Sequence, residues 1–245
     1  MILTAHQPVY LPWLGLFHKI ALSECFCVFD IAQYQTKDYN NRNKIKTHTG
    51  PIWLSVPVES KNHFEKKILD IKVLNNGWNR KHCKSIQLAY QKAPFFRDYM
   101  PAIEEMLLGQ AYNFLEDVNH AFLLYFLTVL GIKRPILRAS DYSFSGEKSD
   151  LVLDMCIKLG ATKYIFGTQG RNYADVSSFE QAGIHVFFQD YHHPVYPQLH
   201  GIFEPYMSVL DLLFNVGPRS LDVLMSGNAQ YVDELSNLSD GVKEE

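Results

Sequence analysis

The sequence predicts an α/β fold in which a mostly parallel sheet is flanked by helices, with a helical subdomain in the middle of the chain. Two observations lead to this prediction. Short apolar segments rich in strand formers alternate with segments of helical periodicity near both ends of the chain. Between them, the pattern is helical only. We therefore divide the chain into an α/β core (1–76 and 132–236), a helical subdomain (77–131) and a polar tail (237–245).

The first thirty residues follow a strand–helix–strand pattern. Residues 1–5 form a short apolar run, and Pro8 ends sheet pairing because proline has no backbone N–H to donate. A helix follows, with apolar residues at spacings of three and four from Leu14 to Leu22. Residues 25–29 are a second strand. A helical crossover of this length is the connection that two parallel strands require.

The middle of the chain changes from strands to helices. Residues 31–50 are polar and predict turns, whereas alternating apolar residues predict strands over 51–58 and 68–74. Helices are predicted over 78–90, 99–108 and 113–130.

The last third returns to alternating strands and helices. Ser149 is a candidate N-cap, and Gly160 and Gly183 are placed to end helices. The predicted strands are 136–139, 164–166 and 184–188, and the predicted helices are 149–159, 179–182 and 208–214.

Composition excludes several classes of protein. The 23 Lys and Arg against 26 Asp and Glu leave no basic excess, so we expect no nucleic-acid partner. No apolar run approaches the about 20 residues that cross a bilayer, and the N-terminus lacks the basic and apolar regions of a signal peptide. Four cysteines without a C-x-x-C pair indicate neither a disulfide framework nor a zinc site. We expect a cytoplasmic protein with no bound metal.

Aromatic residues make up 13% of the chain. They supply either an aromatic core or a pocket for a flat or ring-shaped ligand, and both interpretations stay open at this point.

The segment that follows the first predicted strand is the first candidate site. His6 stands where open α/β sheets bind ligands, at the carboxyl end of a strand and before a helix. Its imidazole could donate to a phosphate or carboxylate, Gln7 adds amide groups, and Tyr10 and Trp13 add ring faces. The alternative is that His6 ends the strand and the prolines shape a rigid turn.

A second cluster follows the second strand. Asp30 is expected on the same sheet edge as His6, where a carboxylate can bind sugar hydroxyls. Asn41, Arg42 and Asn43 offer one fixed cation between two amides, which suits a phosphate or carboxylate. The alternative is an Asn-rich turn with a solvated arginine.

A third cluster follows a late buried strand. Gly167 and Gly170 allow backbone N–H groups to approach a ligand closely, and Gln169 and Tyr173 add an amide and a ring. The segment is neither G-x-G-x-x-G nor a Walker A sequence.

With these residues identified, the chain resembles the WbqC-like protein family over nearly its whole length. The resemblance implies a bacterial protein of lipopolysaccharide (O-antigen) biosynthesis that modifies sugars. One departure is that the second strand in this family often ends in two aspartates, whereas Ile31 follows Asp30 here. The matching strings are H-Q-P-V-Y-L-P-W-L-G-L-F-H-K-I (6–20), F-D-I-A-Q-Y (29–34), N-R-N-K-I (41–45), W-L-S-V-P-V (53–58), A-Y-Q-K-A-P-F-F (89–96), G-A-T-K-Y-I-F-G-T-Q-G-R-N-Y (160–173), Y-P-Q (196–198) and S-V-L-D-L-L-F-N-V-G (208–217).

The chain is also similar, more weakly, to nucleotidylyl transferases and pantoate–β-alanine ligases, which bind ATP. His6 matches the first histidine of their His-x-Gly-His signature, but Pro8 and Val9 stand where the Gly-His pair would be.

These observations lead to a functional hypothesis. The chain is expected to be a transferase or ligase that acts on a nucleotide-linked sugar, for example by adding an acyl or aminoacyl group to an amino sugar. His6, Asp30 and Arg42 are the candidate catalytic residues. The alternative is a non-catalytic sugar- or nucleotide-binding partner of a pathway complex. The sequence leaves open whether ATP or a nucleotide-linked sugar is the substrate, and whether the chain forms a homo-oligomer.

Overall fold

A parallel sheet forms the centre of the chain in the computed structural model, which describes residues 1–59 and 65–226. Within these residues the sheet has five strands in the order β5-β2-β1-β6-β7, all parallel, and β1 lies in the middle. The parallel α/β fold predicted from the sequence is therefore confirmed. The strands are β1 (Ile2–His6), β2 (Cys25–Val28), β5 (Ile136–Arg138), β6 (Lys163–Phe166) and β7 (His185–Phe188).

A short antiparallel hairpin stands apart from the sheet and corrects one prediction. It pairs β3 (Arg42–Thr47) with β4 (Gly50–Ser55). The sequence predicted turns over 31–50, because the residues of β3 are mostly charged or amide side chains. Tertiary contacts make this segment a strand: Asn43 is fully buried and donates to the Leu11 carbonyl over 2.7 Å.

The strand predicted over 68–74 is also wrong. Residues Ile68–Asp70 form a 3-10 turn, and only isolated bridges follow it. The backbone N–H groups of Ile68 and Leu69 donate to the carbonyls of Ala32 and Asp30, so they have no neighbouring strand to pair with.

Helices cover the sheet and fill the middle of the chain. Most begin and end within a few residues of the predicted positions, while the last one was not predicted. Within the described residues, no helix has both the length and the apolar character needed to cross a bilayer. The helices are α1 (Leu14–Leu22), α2 (Trp78–Tyr90), α3 (Phe96–Leu108), α4 (Leu115–Leu130), α5 (Lys148–Lys158), α6 (Val176–Gln181), α7 (Val209–Val216) and α8 (Ser220–Met225).

The start of α5 differs from the prediction in one detail. Glu147 is its N-cap residue, and Ser149 lies inside the first turn. The Ser149 hydroxyl instead accepts the backbone N–H of Asp175 over 2.9 Å, which ties α5 to the segment before α6.

The helical segment 77–131 shares one continuous apolar core with the N-terminal part of the sheet. Helix α4 makes the main contact: Phe126 packs edge-on against Phe17 at 6.0 Å between ring centroids, and Phe122 packs against Tyr10 at 5.9 Å. The division into separate units at 76 and 132 stays a prediction. The predicted polar tail at 237–245 lies outside the described residues.

The packing of α4 on α1 should be a major source of stability. We expect Phe126→Ala to lower the free energy of unfolding by about 3–5 kcal/mol, because it leaves a cavity in a fully buried site. Leu124→Ala on the same helix is the control, since Leu124 is 42% exposed and should cost no more than about 0.5 kcal/mol. Urea denaturation measures both variants, and equal losses would contradict this assignment of the core.

Candidate functional site

A cavity of about 410 Å³ opens at the carboxyl ends of β1 and β6. In the sheet, β1 has β2 on one side and β6 on the other. The chain therefore adds strands first in one direction and then in the opposite direction, and the strand order reverses at β1. Open α/β sheets bind their ligands at such a point. The volume also lies within the range of small-molecule sites. The polar and aromatic lining residues are His6, Gln7, Trp13, Lys19, Phe29, Asp38, Tyr39, Asn40, Tyr164, Phe166, Gln169 and Tyr173.

His6 ends β1 and faces the cavity as a neutral imidazole. Its Nδ1 lies 2.8 Å from the Gln7 carbonyl, to which the Nδ1–H donates, so Nε2 carries the lone pair. Burial lowers the pKa of His6 to about 4, and the charge of Lys19 acts in the same direction. In this neutral state Nε2 is free to accept a hydrogen bond from a ligand, whereas the donation to a phosphate or carboxylate expected from the sequence would require a protonated ring or the other tautomer.

Lys19 places an amine against the same end of β1. The side chain is only 3% exposed, and Nζ donates to the Ala5 carbonyl over 2.9 Å. Burial lowers the pKa of Lys19 to about 7, with no carboxylate offsetting the shift. Buried lysines with shifted pKa values are a recurring feature of functional sites.

Lys19 was not among the predicted site residues, although it lies in the mostly apolar segment from Leu14 to Leu22. In α1 every residue from Leu14 to Ile20 is buried, including His18 and Lys19. A helix that is apolar on all sides lies inside a protein, and a charged residue within it must be paired or functional.

Aromatic rings form the wall beside His6. The Trp13 ring packs edge-on against His6 at 5.4 Å between centroids, and it packs at a tilt against Tyr39 at 5.2 Å. On the opposite side, Tyr173 packs edge-on against Phe166 at 5.8 Å and is 44% exposed at the mouth of the cavity. These rings offer apolar faces to a planar or ring-shaped ligand.

Amide side chains line the remaining part of the cavity. Asn40 donates to the Pro8 carbonyl over 2.9 Å and to Oε1 of Gln7 over 3.3 Å, which holds the loop before β3 against the end of β1. Oδ1 of Asn40 is buried without a hydrogen-bond partner among the described residues. Gln169 accepts from Asn172 over 2.9 Å within the turn after β6.

Seven of the predicted site residues meet at this cavity. They come from the end of β1, the start of α1 and the turn after β6. They are His6, Gln7, Trp13, Gly167, Gln169, Gly170 and Tyr173.

The other predicted residues lie elsewhere, and each has partners that explain its position. Tyr10 is fully buried in the apolar core, with its hydroxyl 2.8 Å from Nδ1 of His82. The guanidinium of Arg42 lies 4.3 Å above the Trp53 ring and donates to the Lys37 carbonyl. Asn41 donates to the Val56 carbonyl over 2.8 Å, and Asn43 donates to Leu11 as described above. Of the three candidate catalytic residues, His6 therefore lines the cavity, whereas Arg42 does not.

Asp30 follows β2 at the same sheet edge as His6, but its carboxylate turns toward β5. It is fully buried and accepts the Ser140 backbone N–H over 2.9 Å and the Ser140 hydroxyl over 2.6 Å. Arg138 lies between Asp30 and the buried Glu116. Burial raises the pKa of Glu116 to about 7, and the charge of Arg138 opposes that shift.

Metal ligands are not grouped in the part of the chain that the structure describes. No three His, Cys, Asp or Glu side chains of residues 1–59 and 65–226 form a metal-binding cluster.

Comparison with known proteins identifies relatives along most of the chain. The profile of the WbqC-like protein family matches residues 7–223. The uncharacterized protein Rv1507c of Mycobacterium tuberculosis is 34% identical over 219 residues, which cover 89% of this chain and 95% of that protein. No solved structure matches the sequence.

Burial of the Lys19 amine should cost stability. Below about pH 7 the folded protein holds a buried ammonium, and this cost disappears as the pH approaches 10.5, where the unfolded chain also loses the proton. We therefore expect Lys19→Met to raise the free energy of unfolding by about 2 kcal/mol at pH 6, and the gain should shrink toward pH 10.

Urea denaturation at several pH values measures this effect. Lys84→Met, at an exposed position of α2, is the matched control and should change little at any pH. A loss of stability in Lys19→Met at pH 6 would show that the amine is a structural group and would contradict the prediction.

Proposed function

The chain belongs to the WbqC-like protein family, and from this membership and its cavity we propose that it is an enzyme that modifies a nucleotide-linked sugar in bacterial surface-polysaccharide (O-antigen) synthesis. The observation that carries the proposal is the cavity between β1 and β6. It brings together one buried amine, one neutral imidazole, amide side chains and aromatic rings. The pathway follows from the family resemblance. A cytoplasmic location is part of the same proposal, and the four buried cysteines with free thiols are consistent with it.

The ligand class follows from the chemistry of the lining. Lys19 supplies a cation for a phosphate group, which an activated sugar carries. Trp13 and Tyr173 supply ring faces for a base or a sugar ring. The amides of Gln7, Asn40 and Gln169 match the donors and acceptors of sugar hydroxyls.

Acyl or aminoacyl transfer to an amino sugar is the reaction we propose. The nitrogen of the amino sugar attacks the acyl carbonyl carbon, its proton passes to Nε2 of His6, and the leaving group departs from the acyl carbon. Burial is the main cause of the low pKa of His6, and the charge of Lys19 lowers it further. A bound phosphate would offset that charge, so substrate binding itself would make His6 a stronger base.

Asp30 has a supporting role in this proposal, because it holds Ser140 and Arg138 and so fixes the end of β2 beside His6. Arg42 stacks on Trp53 in the hairpin and has no direct role in the proposed reaction. Most of the rate enhancement would then come from positioning and electrostatic stabilisation in the cavity.

Thermal unfolding of the full chain with UDP-, dTDP- and GDP-linked sugars and with ATP tests the ligand class. A ligand at 100 times its Kd should stabilise the protein by about 2.7 kcal/mol, or about 5–10 °C in Tm. Tyr173→Ala should bind about tenfold more weakly because it removes a ring face at the mouth. Tyr142→Ala is the control, because Tyr142 is similarly exposed at 39% and lies outside the cavity lining.

If none of these compounds raises the Tm of the protein, the proposal is contradicted. Equal binding by Tyr173→Ala and the wild type would show that the ligand does not enter this cavity. Turnover of a stabilising sugar with an acyl donor would distinguish the enzyme from the non-catalytic partner considered above.

A further inference from the structure

The amine of Lys19 and the backbone of Gly167 lie close together in the lining of the cavity. A Cβ added at Gly167 would lie 3.9 Å from Nζ of Lys19, with no other atom within 4 Å beyond its chain neighbours. Gly167 has φ −70° and ψ 169°, an ordinary extended conformation that any residue can adopt. The backbone therefore does not require glycine here. What the glycine provides is space beside the amine.

No carboxylate of residues 1–59 and 65–226 offsets the charge on Lys19. The bond to the Ala5 carbonyl accounts for one of the three N–H groups of an ammonium. Burial alone accounts for the shifted pKa of Lys19. Helix α1 thus places the amine of Lys19 in the lining of the cavity, where a ligand can contact it.

We propose that Lys19 and Gly167 form an oxyanion subsite, in which a phosphate or carboxylate group of the ligand binds between Nζ and the Gly167 backbone. This inference rests on the proposed function only for the identity of the ligand, since the activated sugar would supply the phosphate and the acyl donor a carboxylate. The bound oxyanion would then lie in the same cavity as the imidazole of His6.

Anion binding at this subsite is coupled to protonation. The oxyanion binds the ammonium form of Lys19, so at pH values above about 7 the complex must take up a proton. The other titratable groups that face the cavity are His6, Asp38, Tyr39, Tyr164 and Tyr173. The pKa of His6 lies near 4, and burial raises the pKa of Tyr164 and of Tyr173, which keeps these three groups neutral around pH 8.

Isothermal titration calorimetry of the full chain tests the subsite. The probes are inorganic pyrophosphate and, separately, malonate, which distinguish the two sources of the oxyanion. Buffers of different ionisation enthalpy at about pH 8.5 report the proton uptake. We expect Lys19→Met to weaken binding of the preferred probe at least about tenfold and to abolish its proton uptake.

Gly167→Ala is the second variant, because its methyl group occupies the free space while the backbone conformation is retained. It should also bind at least about tenfold more weakly, with an unchanged Tm. Lys84→Met, far from the cavity lining, should bind as the wild type does. Wild-type binding by Lys19→Met or by a folded Gly167→Ala would overturn the subsite, as would failure of both probes to bind the wild type.

The subsite and the proposed function can fail separately. Binding of pyrophosphate through Lys19 without stabilisation by any nucleotide-linked sugar would support the subsite and contradict the sugar ligand. Equal stabilisation of the wild type and Lys19→Met by a nucleotide-linked sugar would support the ligand and overturn the subsite.

Discussion

The uncompensated amine of Lys19 is the constraint on which the candidate site depends. A buried ammonium is stable only near a carboxylate or a bound anion, or when it gives up its proton. In the part of the chain that the structure describes, the amine donates to one carbonyl, that of Ala5, and its remaining N–H groups are left for a ligand in the cavity. The amine reaches this position because α1 crosses from β1 to β2 and packs over the point where the strand order reverses. After burial, the charge of the same amine is the second cause of the low pKa of His6, so a ligand that changes the charge of Lys19 also changes the pKa of His6.

Other elements of the fold form the sides of the cavity around Lys19. The loop before the hairpin brings Tyr39 and Asn40 to one side, and the turn after β6 brings Gly167 and Tyr173 to the other. Helix α4 buries the outer surface of α1, which keeps the helix that carries Lys19 in place. The network of Asp30, Ser140 and Arg138 joins the ends of β2 and β5. Catalysis by positioning requires this kind of rigid support.

Local patterns predicted most of the fold and about half of the site. The strands β1, β2, β6 and β7 are short apolar runs, so their positions follow from composition alone. β3 was missed because its pairing depends on contacts such as that between Asn43 and Leu11, which bridge 32 positions of the chain. The position of Arg42 could not be predicted because its guanidinium stacks on the Trp53 ring, which the other strand of the hairpin supplies. Lys19 was missed because the apolar pattern of α1 does not show what its amine contacts; the fold places it against the Ala5 carbonyl and beside Gly167, which follows almost 150 residues later.

The most direct measurement is the NMR titration of the Lys19 side chain in the full-length protein, with Lys19→Met to assign its signal. The structure predicts a titration midpoint near pH 7 that rises when pyrophosphate is added, since a bound oxyanion stabilises the ammonium. A midpoint near 10.5, the value of an ordinary lysine, that does not move with pyrophosphate would contradict the assignment of this amine as the centre of the site.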